Sequence, residues 1–339
     1  MFEPINDQEE TTFEFDSSKI ISALVKEGKV NDTEIDRATC LKYLGFVCIE
    51  TGRFFEAEST FKDALRIYRS IPDTGIDQAK CTTGMGITYR ETGRFHEAES
   101  AFEGALGLLR SIPGTEVNQA TCTMGTGITY WETGRFQEAE NIFKDALRIL
   151  HSIPGTEVNQ ATCKMHLGIV FCETGRFHEA ETAFEGALRV FRSIPSTELQ
   201  QAACISNLGA VYLKTERLYE AENANEDALR IYRTIPGTGL DQATCEMNLG
   251  IIYERTGRFH EAEKANKDAL KIYRSIPGTK LERATCLANM SSYYGNRGLI
   301  SKARLCAEEA LAVCNSFSPE ATAHISFICH QVLKGAGVA

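Results

Sequence analysis

The stretch Ala120–Leu150, ATCTMGTGITYWETGRFQEAENIFKDALRIL, contains two amphipathic segments separated by a glycine. The first segment, predicted over Gln119–Glu132 behind a potential cap at Asn118, stops at Gly134, a residue type that commonly terminates helices. The second, predicted over Phe136–Ile153, carries apolar residues at helical spacing and stops before a proline. The stretch therefore predicts a helix, a tight turn and a second helix.

The same pattern returns every 41 residues along the chain. Prolines and the glycines of Thr-Gly-Arg-Phe keep this interval, and so do seven cysteines: Cys40, Cys81, Cys122, Cys163, Cys204, Cys245 and Cys286. Seven units are predicted over 36–317, starting near 36, 77, 118, 159, 200, 241 and 282. Because a pair of short helices cannot bury its apolar faces alone, the repeats predict an all-α fold, an α-solenoid of stacked helical hairpins.

A set of small and large residues within the fourth unit carries a family resemblance. It comprises Leu167-Gly168, Phe171, Gly175, Phe177, Ala180, Phe184 and Ala187. This spacing resembles the tetratricopeptide repeat, and the 41-residue length is similar to the long variety found in kinesin light chains. The resemblance implies a right-handed superhelix whose first helices line a concave groove. It also implies binding of peptides or protein surfaces without catalysis, as in arrays that form tails of signalling NTPases.

The two ends of the chain differ from the repeats. Residues 1–12 form an acidic tail, and 13–35 align with the second half of a unit, which predicts a degenerate half-repeat helix that covers the first hairpin. At the other end, 318–339 contain Ile325, Ile328 and Val332 at helical spacing, which predicts a capping helix and a short tail. Solenoid ends need such modified units to stay soluble.

Three departures from the repeat pattern concern its packing positions. Asn225 and Asn266 stand where the first four units have phenylalanine, which predicts looser packing there. Ser291 replaces the glycine of the last first helix.

Composition excludes several classes of protein. The 339 residues carry 36 Lys+Arg against 46 Asp+Glu, a formal net charge of −10, which argues against a nucleic-acid binder. No apolar run is long enough for a membrane helix, and the start lacks the features of a signal peptide. We therefore expect a cytoplasmic protein, with no membrane partner and with its twelve cysteines reduced.

Catalytic and metal sites are not indicated. The cysteine row has one member per unit, and packed helices lie about 8–10 Å apart, too far for disulfides, so small buried side chains explain it better. His96, His178 and His260 lie two units apart and cannot share a metal. Zinc-protease, phosphate-loop and nucleophile-elbow motifs do not occur. The sequence predicts no enzyme, no cofactor and no metal.

Candidate binding residues come from the arc of the first helices that varies between units. A helical wheel places Met124 and Gly125 on this arc, opposite the uniform arc expected to stack. The predicted binding residues are Ile87, Met124, Ile128, Trp131, Met165, His166, Ile169, Asn207, Met247, Asn248, Ile251 and Asn289. Apolar and methionine-rich surfaces favour an adaptable interface. The alternative is that the isoleucines bury one another.

Asn207, Asn248 and Asn289 occupy one position in three successive units. A carboxamide both donates and accepts, so such a row can bracket an extended peptide backbone, and it resembles the asparagine clamps of kinesin-light-chain-type grooves. Replacing Asn248 by Ala is then expected to weaken binding and leave stability nearly unchanged. Polar filling of a solvated face is the alternative.

Charge at the ends of the first helices changes along the chain. Glutamate ends the first four, and a basic or neutral residue ends the last three: Glu50, Glu91, Glu132, Glu173, Lys214, Arg255 and Asn296. This gradient either orients a bound segment or reflects pairing of the glutamates with the arginines at the turns.

These observations predict a scaffold that binds a protein or peptide in its groove. The alternative is a structural or self-associating array, or a regulatory sensor tail of a larger signalling assembly, without a peptide ligand. A receptor for a small molecule would need a closed pocket, which the sequence does not indicate.

Overall fold

A computed structural model describes residues 33–276, 278–317 and 319–335 of the chain. These residues form fifteen α-helices and no strand. The acidic tail over 1–12 and most of the half-repeat predicted over 13–35 lie outside the described residues and stay predictions. The helices are α1 Glu34–Glu50, α2 Phe54–Ser70, α3 Gly75–Glu91, α4 Phe95–Arg110, α5 Glu116–Glu132, α6 Phe136–His151, α7 Glu157–Glu173, α8 Phe177–Arg192, α9 Glu198–Lys214, α10 Leu218–Tyr232, α11 Gly239–Arg255, α12 Phe259–Ser275, α13 Lys280–Asn296, α14 Ile300–Cys314 and α15 Pro319–Gly335.

The helices group into two compact units, one containing α1–α6 and the other α7–α15. Within each unit, consecutive helices pair into hairpins, and the first helix of each following hairpin packs on both helices of the hairpin before it. The single helix α15 packs on α13 and α14, where Ile325 and Cys329 are buried. The all-α, stacked-hairpin fold is therefore confirmed.

The boundaries of the third hairpin differ in part from the sequence prediction. Helix α5 begins at Glu116 rather than Gln119, because the carbonyl of Thr115 already accepts a hydrogen bond from the Gln119 amide at 2.9 Å. Asn118 thus lies inside the helix and does not cap it. The predicted stop at Gly134 is confirmed, since this glycine has a φ of 75°, a left-handed value that favours glycine.

Buried threonines hold the short loops between hairpins in place. Thr115 donates its hydroxyl to the carbonyl of Leu109 at 2.8 Å and to that of Ile112 at 2.7 Å. The Leu109 carbonyl lies in the last turn of α4 and also accepts from the Ile112 amide at 3.0 Å, and the Ile112 carbonyl lies in the loop that follows. The same bonds recur at Thr74, Thr156, Thr197, Thr238 and Thr279.

The central packing contact of the first unit is an aromatic ring seated between two glycines. Phe102 on α4 is 1% exposed. A Cβ atom added to Gly86, on the first helix of the same hairpin, would lie 2.8 Å from the ring. A Cβ atom added to Gly125, on the first helix of the next hairpin, would lie 2.5 Å from it. Because neither glycine has a side chain, the ring fits between α3 and α5. This contact fixes the positions of α3, α4 and α5 relative to one another.

The second unit changes this contact from hairpin to hairpin. Phe184 packs on Gly168, but Asn225 and Asn266 take the ring's place in the next two hairpins, where they are 0% and 2% exposed. A Cβ atom on Gly250 would lie 2.6 Å from Nδ2 of Asn266, so the helices approach as closely as in the first unit. The prediction of looser packing at the asparagines is wrong.

The last hairpin uses a third solution at the same place. Ser291 on α13 is fully buried, and its hydroxyl donates to the carbonyl of Ala303 on α14 at 2.8 Å. The residue at the ring position of this hairpin is Ala307, also fully buried. A small hydroxyl therefore replaces the glycine where the opposing side chain is a methyl group.

Within each unit, arginines at the turns connect a hairpin to the one before it. Arg94 stacks its guanidinium 4.2 Å from the ring centre of Tyr89 and forms an ion pair with Glu58 on α2, with Nη1 and Oε2 at 2.7 Å. It also pairs with Glu97 in the first turn of α4. Arg135, Arg217 and Arg258 make the equivalent contacts. These four arginines thus pair with second-helix glutamates rather than with the glutamates that end the first helices.

The cysteine row is buried, as predicted. Six of its seven members, Cys81 to Cys286, are 0–1% exposed, and Cys40 is half-buried. All twelve cysteines, which lie within the described residues, are unbridged thiols. Burial raises the pKa of the Cys81, Cys204 and Cys286 thiols to about 12, so these groups are protonated and unreactive near neutral pH.

The close contact between Gly125 and the Phe102 ring predicts opposite effects of two Gly→Ala substitutions on the free energy of unfolding. Gly125→Ala should lower the free energy of unfolding by about 1–3 kcal/mol, because the new methyl group would collide with the Phe102 ring. Gly107→Ala, in the last turn of α4 with open space around it, should raise the same quantity by up to about 1 kcal/mol through helix propensity. Urea unfolding followed by circular dichroism measures both. Equal effects of the two substitutions would contradict the packing role of Gly125.

Candidate functional site

The side of the first helices that was predicted to line the groove is called here the first-helix face. In the first unit it contains Ile87 on α3 and Ile128 and Trp131 on α5, all half-buried. Helices α3 and α5 pack side by side, so these partly exposed apolar residues lie on neighbouring helices. Met124 was predicted to belong to this face but is only 9% exposed.

In the second unit the first-helix face combines apolar and polar side chains. Helices α7, α9, α11 and α13 are neighbours in that order. They place on this face Met165, His166, Ile169, Asn207, Met247, Asn248, Ile251 and Asn289, which are all half-buried. Each side chain therefore keeps surface that a ligand could contact.

Asn248 does more than fill this face. Its Nδ2 atom donates to Oδ1 of Asn225 on α10 at 3.1 Å, and Nδ2 of Asn225 donates to the carbonyl of Ala221 at 2.8 Å. The carboxamide thus satisfies a fully buried acceptor in the preceding hairpin. This bond argues against the expectation that Asn248→Ala leaves stability nearly unchanged, which came from the wheel of one helix without the hairpin beneath it.

The other two asparagines of the row have no such contact. Neither Asn207 nor Asn289 has a hydrogen-bond partner among the described residues. Below Asn207, the preceding hairpin offers Phe184, which has no acceptor. Below Asn289, Nδ2 of Asn266 donates to the carbonyl of Ala262 at 2.9 Å, and Oδ1 of Asn266 is buried without a partner in the described part of the chain.

The charges at the ends of the first helices are partly neutralised within each unit. Arg90 pairs with Glu91, and its Nε lies 3.6 Å from a carboxylate oxygen of Glu132. Burial raises the pKa of Glu132, although Arg90 opposes the shift. In the second unit, Arg255 contacts both oxygens of Glu216 at 3.0 Å. The predicted charge gradient is therefore smaller than the formal charges indicate.

A crevice on the opposite side of the second unit lies between α8 and α10, with α9 as its floor. Its volume is about 540 Å³. Ile205 and Leu208 on the floor and Leu188 on α8 are only 5–8% exposed, and Arg189 and Arg192 on the α8 wall are exposed. The crevice thus offers little apolar surface, and the first-helix face is the better candidate for peptide binding.

Metal and membrane sites can be addressed for the described residues. Among them, no group of three or more His, Cys, Asp or Glu side chains is placed to hold a metal ion. No helix there combines the length and apolar character needed to cross a bilayer.

The sequence analysis missed Asn225 and Asn266 as part of the site. The available signal was their position, since both replace the repeated phenylalanine and both lie 23 residues before an asparagine of the row. That coincidence indicates a contact between side chains on successive hairpins.

The contact between Asn248 and Asn225 predicts a difference within the asparagine row. Asn248→Ala should lower the free energy of unfolding by about 1–3 kcal/mol, because it leaves the buried Oδ1 of Asn225 without a donor. Asn207→Ala should change it by less than about 0.5 kcal/mol, since the carboxamide it removes has no partner. Chemical denaturation of the two variants provides the comparison. An equal loss of stability would show that the hydrogen bond to Asn225 contributes nothing.

Comparison with solved structures places the fold among known arrays. BtubC (BKLC) from P. vanneervenii is 23% identical, with a TM-score of 0.56 over 68% of this chain and 92% of that chain. NprR in complex with its cognate peptide NprX is 16% identical, with a TM-score of 0.60 over 80% and 77%. The Rap conjugation gene regulator of plasmid pLS20 in complex with the Phr* peptide is 15% identical, with a TM-score of 0.64 over 97% and 82%. These likenesses show a shared fold.

Comparison with family models gives the same result from sequence. A search of curated proteins found no match. The tetratricopeptide repeat model matches residues 36–111, 77–151, 160–234 and 237–316, which together span most of the chain. The chain belongs to the tetratricopeptide repeat family.

Proposed function

We propose that this protein is a non-enzymatic scaffold that binds a protein or peptide segment along the first-helix face. The observation that carries the proposal is the composition of this face in the second unit. Met165 and Ile169 on α7 and Met247 and Ile251 on α11 are half-buried apolar residues, and the row of carboxamides lies on α9, α11 and α13 of the same series of neighbouring helices. An extended segment needs both kinds of contact, because apolar side chains supply affinity and amides bond its backbone.

The arrangement suits a ligand of variable sequence. Methionine side chains are flexible and polarisable, so they adapt to different apolar groups. Carboxamides recognise backbone groups, which every peptide presents. Two proteins of the same fold, NprR and the Rap regulator of pLS20, are described as complexes with peptides, which supports the same kind of partner here.

Self-association is a second candidate function, and one observation favours it. Large apolar side chains are exposed in the last hairpin and on α15: Ile300 at 43%, Leu305 at 67% and Phe327 at 62%. Light scattering at increasing protein concentration would then show a rising mass, and Leu305→Lys with Phe327→Lys would abolish the rise.

Peptide binding is tested by selecting ligands from a displayed library of random twelve-residue peptides, with the full chain as bait. The affinities of the selected peptides are then measured by fluorescence polarisation. Ile251→Lys should weaken them about tenfold or more, because it removes apolar contact and adds a charge to the first-helix face. Tyr219→Lys is the matched control, since Tyr219 is 75% exposed at the start of a second helix and lies off this face.

Three results would oppose the proposal. The first is failure to select any peptide. The second is equal binding by wild type and Ile251→Lys. The third is loss of binding in Tyr219→Lys with binding retained in Ile251→Lys, which would assign recognition to the outer side of the hairpins.

A further inference from the structure

Two buried asparagines in the second unit need a physical explanation. Asn225 and Asn266 replace the phenylalanine of the earlier hairpins and are at most 2% exposed. Burying a carboxamide is unfavourable unless its hydrogen bonds are made inside the protein. A residue of this kind at a core position therefore indicates a role that a phenylalanine could not perform.

The hydrogen bonds of Asn225 have only one possible direction. The backbone carbonyl of Ala221 can only accept, so the atom of Asn225 that contacts it must be the amide nitrogen. The carbonyl oxygen of Asn225 then faces α11, where it accepts from Asn248. Asn248 must in turn present its nitrogen inward, which leaves its Oδ1 for the open side of the first-helix face. The backbone of α10 thus sets the orientation of an amide one hairpin away.

We propose that Asn225 is a positioning residue that turns Asn248 into a hydrogen-bond acceptor for the ligand, so that the site selects an extended segment by its N–H groups. This inference rests on the proposed function and specifies its recognition chemistry. An asparagine without a fixed orientation can offer either a donor or an acceptor and does not discriminate. A fixed one rejects a ligand that presents a carbonyl at that point, because two acceptors repel.

The next hairpin carries the same two asparagines, but the hydrogen bond between them is not formed. Asn266 donates to the carbonyl of Ala262, so its Oδ1 also faces the following first helix, but this buried oxygen has no partner among the described residues. Asn289 lies at the position equivalent to Asn248. Its side chain also has no hydrogen-bond partner among the described residues. In the ligand-bound state, Asn289 donates to Asn266 and presents a second acceptor one hairpin away from the first.

Three other first helices offer no such pair. Phe184 stands one hairpin before Asn207 at the position that Asn225 takes before Asn248, and it cannot accept a hydrogen bond, while Gly84 and Gly125 at the equivalent positions have no side chain. The inference therefore concerns the part of the first-helix face formed by α11 and α13.

The positioning is tested first without a ligand, by NMR of the asparagine side-chain amides in the full chain. In the wild type, one Nδ2 proton of Asn248 should exchange slowly with solvent because it is bonded to Asn225. Asn225→Leu keeps a side chain of similar size but cannot accept, so this protection should disappear. Asn223→Leu, an exposed position on the same helix, should leave it unchanged.

Recognition is tested next with the tightest peptide selected from the library and with versions in which single backbone amides are replaced by esters. An ester lacks the N–H group, so at one position it should weaken binding to the wild type about fivefold. Asn225→Leu should bind the amide and ester forms equally within twofold. Asn248→Ala, at a half-buried position, removes the accepting oxygen itself and should also lose the discrimination, which covers the case that Asn225→Leu fails to fold.

The outcomes separate the inference from the proposed function. Equal discrimination between amide and ester in the wild type and both variants would overturn the positioning role and leave the scaffold function intact. A wild type that shows no ester-sensitive position would do the same. Failure to select any peptide would overturn both, even where the NMR experiment shows the Asn248–Asn225 bond.

Discussion

In the first unit, the contact between a second-helix phenylalanine and two first-helix glycines determines how successive hairpins stack. Interiors are packed as densely as organic crystals, so a ring enters only where other atoms are absent. In the first unit, Gly86 and Gly125 provide this space from two successive hairpins, and Phe102 fills it. The register of three helices is fixed by this one contact. A strict 41-residue interval follows, because any shift would bring a side chain against the ring.

In two hairpins of the second unit, a hydrogen-bonding asparagine occupies the position that a buried phenylalanine ring takes in the first unit. Asn225 makes the close approach to Gly209 that Phe102 makes to Gly86, with Cγ of the asparagine 3.0 Å from where a Cβ would lie. The exchange gives up part of the hydrophobic contribution, since a carboxamide gains little from burial. In return, the hydrogen bond to Asn225 fixes the orientation of the Asn248 side-chain amide. Stability and recognition are thus coupled at one position, and the face that could bind a ligand is organised by the layer beneath it.

Repetition made most of the fold predictable from sequence. The interval of the cysteines defined the units, and Gly134 located the turn, because local chemistry decides both. The buried asparagines were misjudged, since their partners lie on another hairpin and no local pattern shows them. Gly125 was assigned to the open arc for the same reason. A helical wheel describes one helix in isolation, whereas in a stack each first helix has neighbours on more than one side, and Phe102 occupies the space beside Gly125.

The central claim, that a ring in the first unit and a hydrogen-bonded asparagine pair in the second are alternative ways to fill the same packing position, is tested most directly by a double-mutant cycle. Asn248→Gly leaves the buried oxygen of Asn225 without its donor, whereas Asn225→Phe removes that oxygen, so Asn248→Gly should destabilise the second unit more in the wild type than in the Asn225→Phe background. Together they recreate the Phe102–Gly125 contact, and urea unfolding should show a favourable coupling of about 1 kcal/mol or more. A double variant whose loss of stability equals the sum of the two single losses would contradict the account.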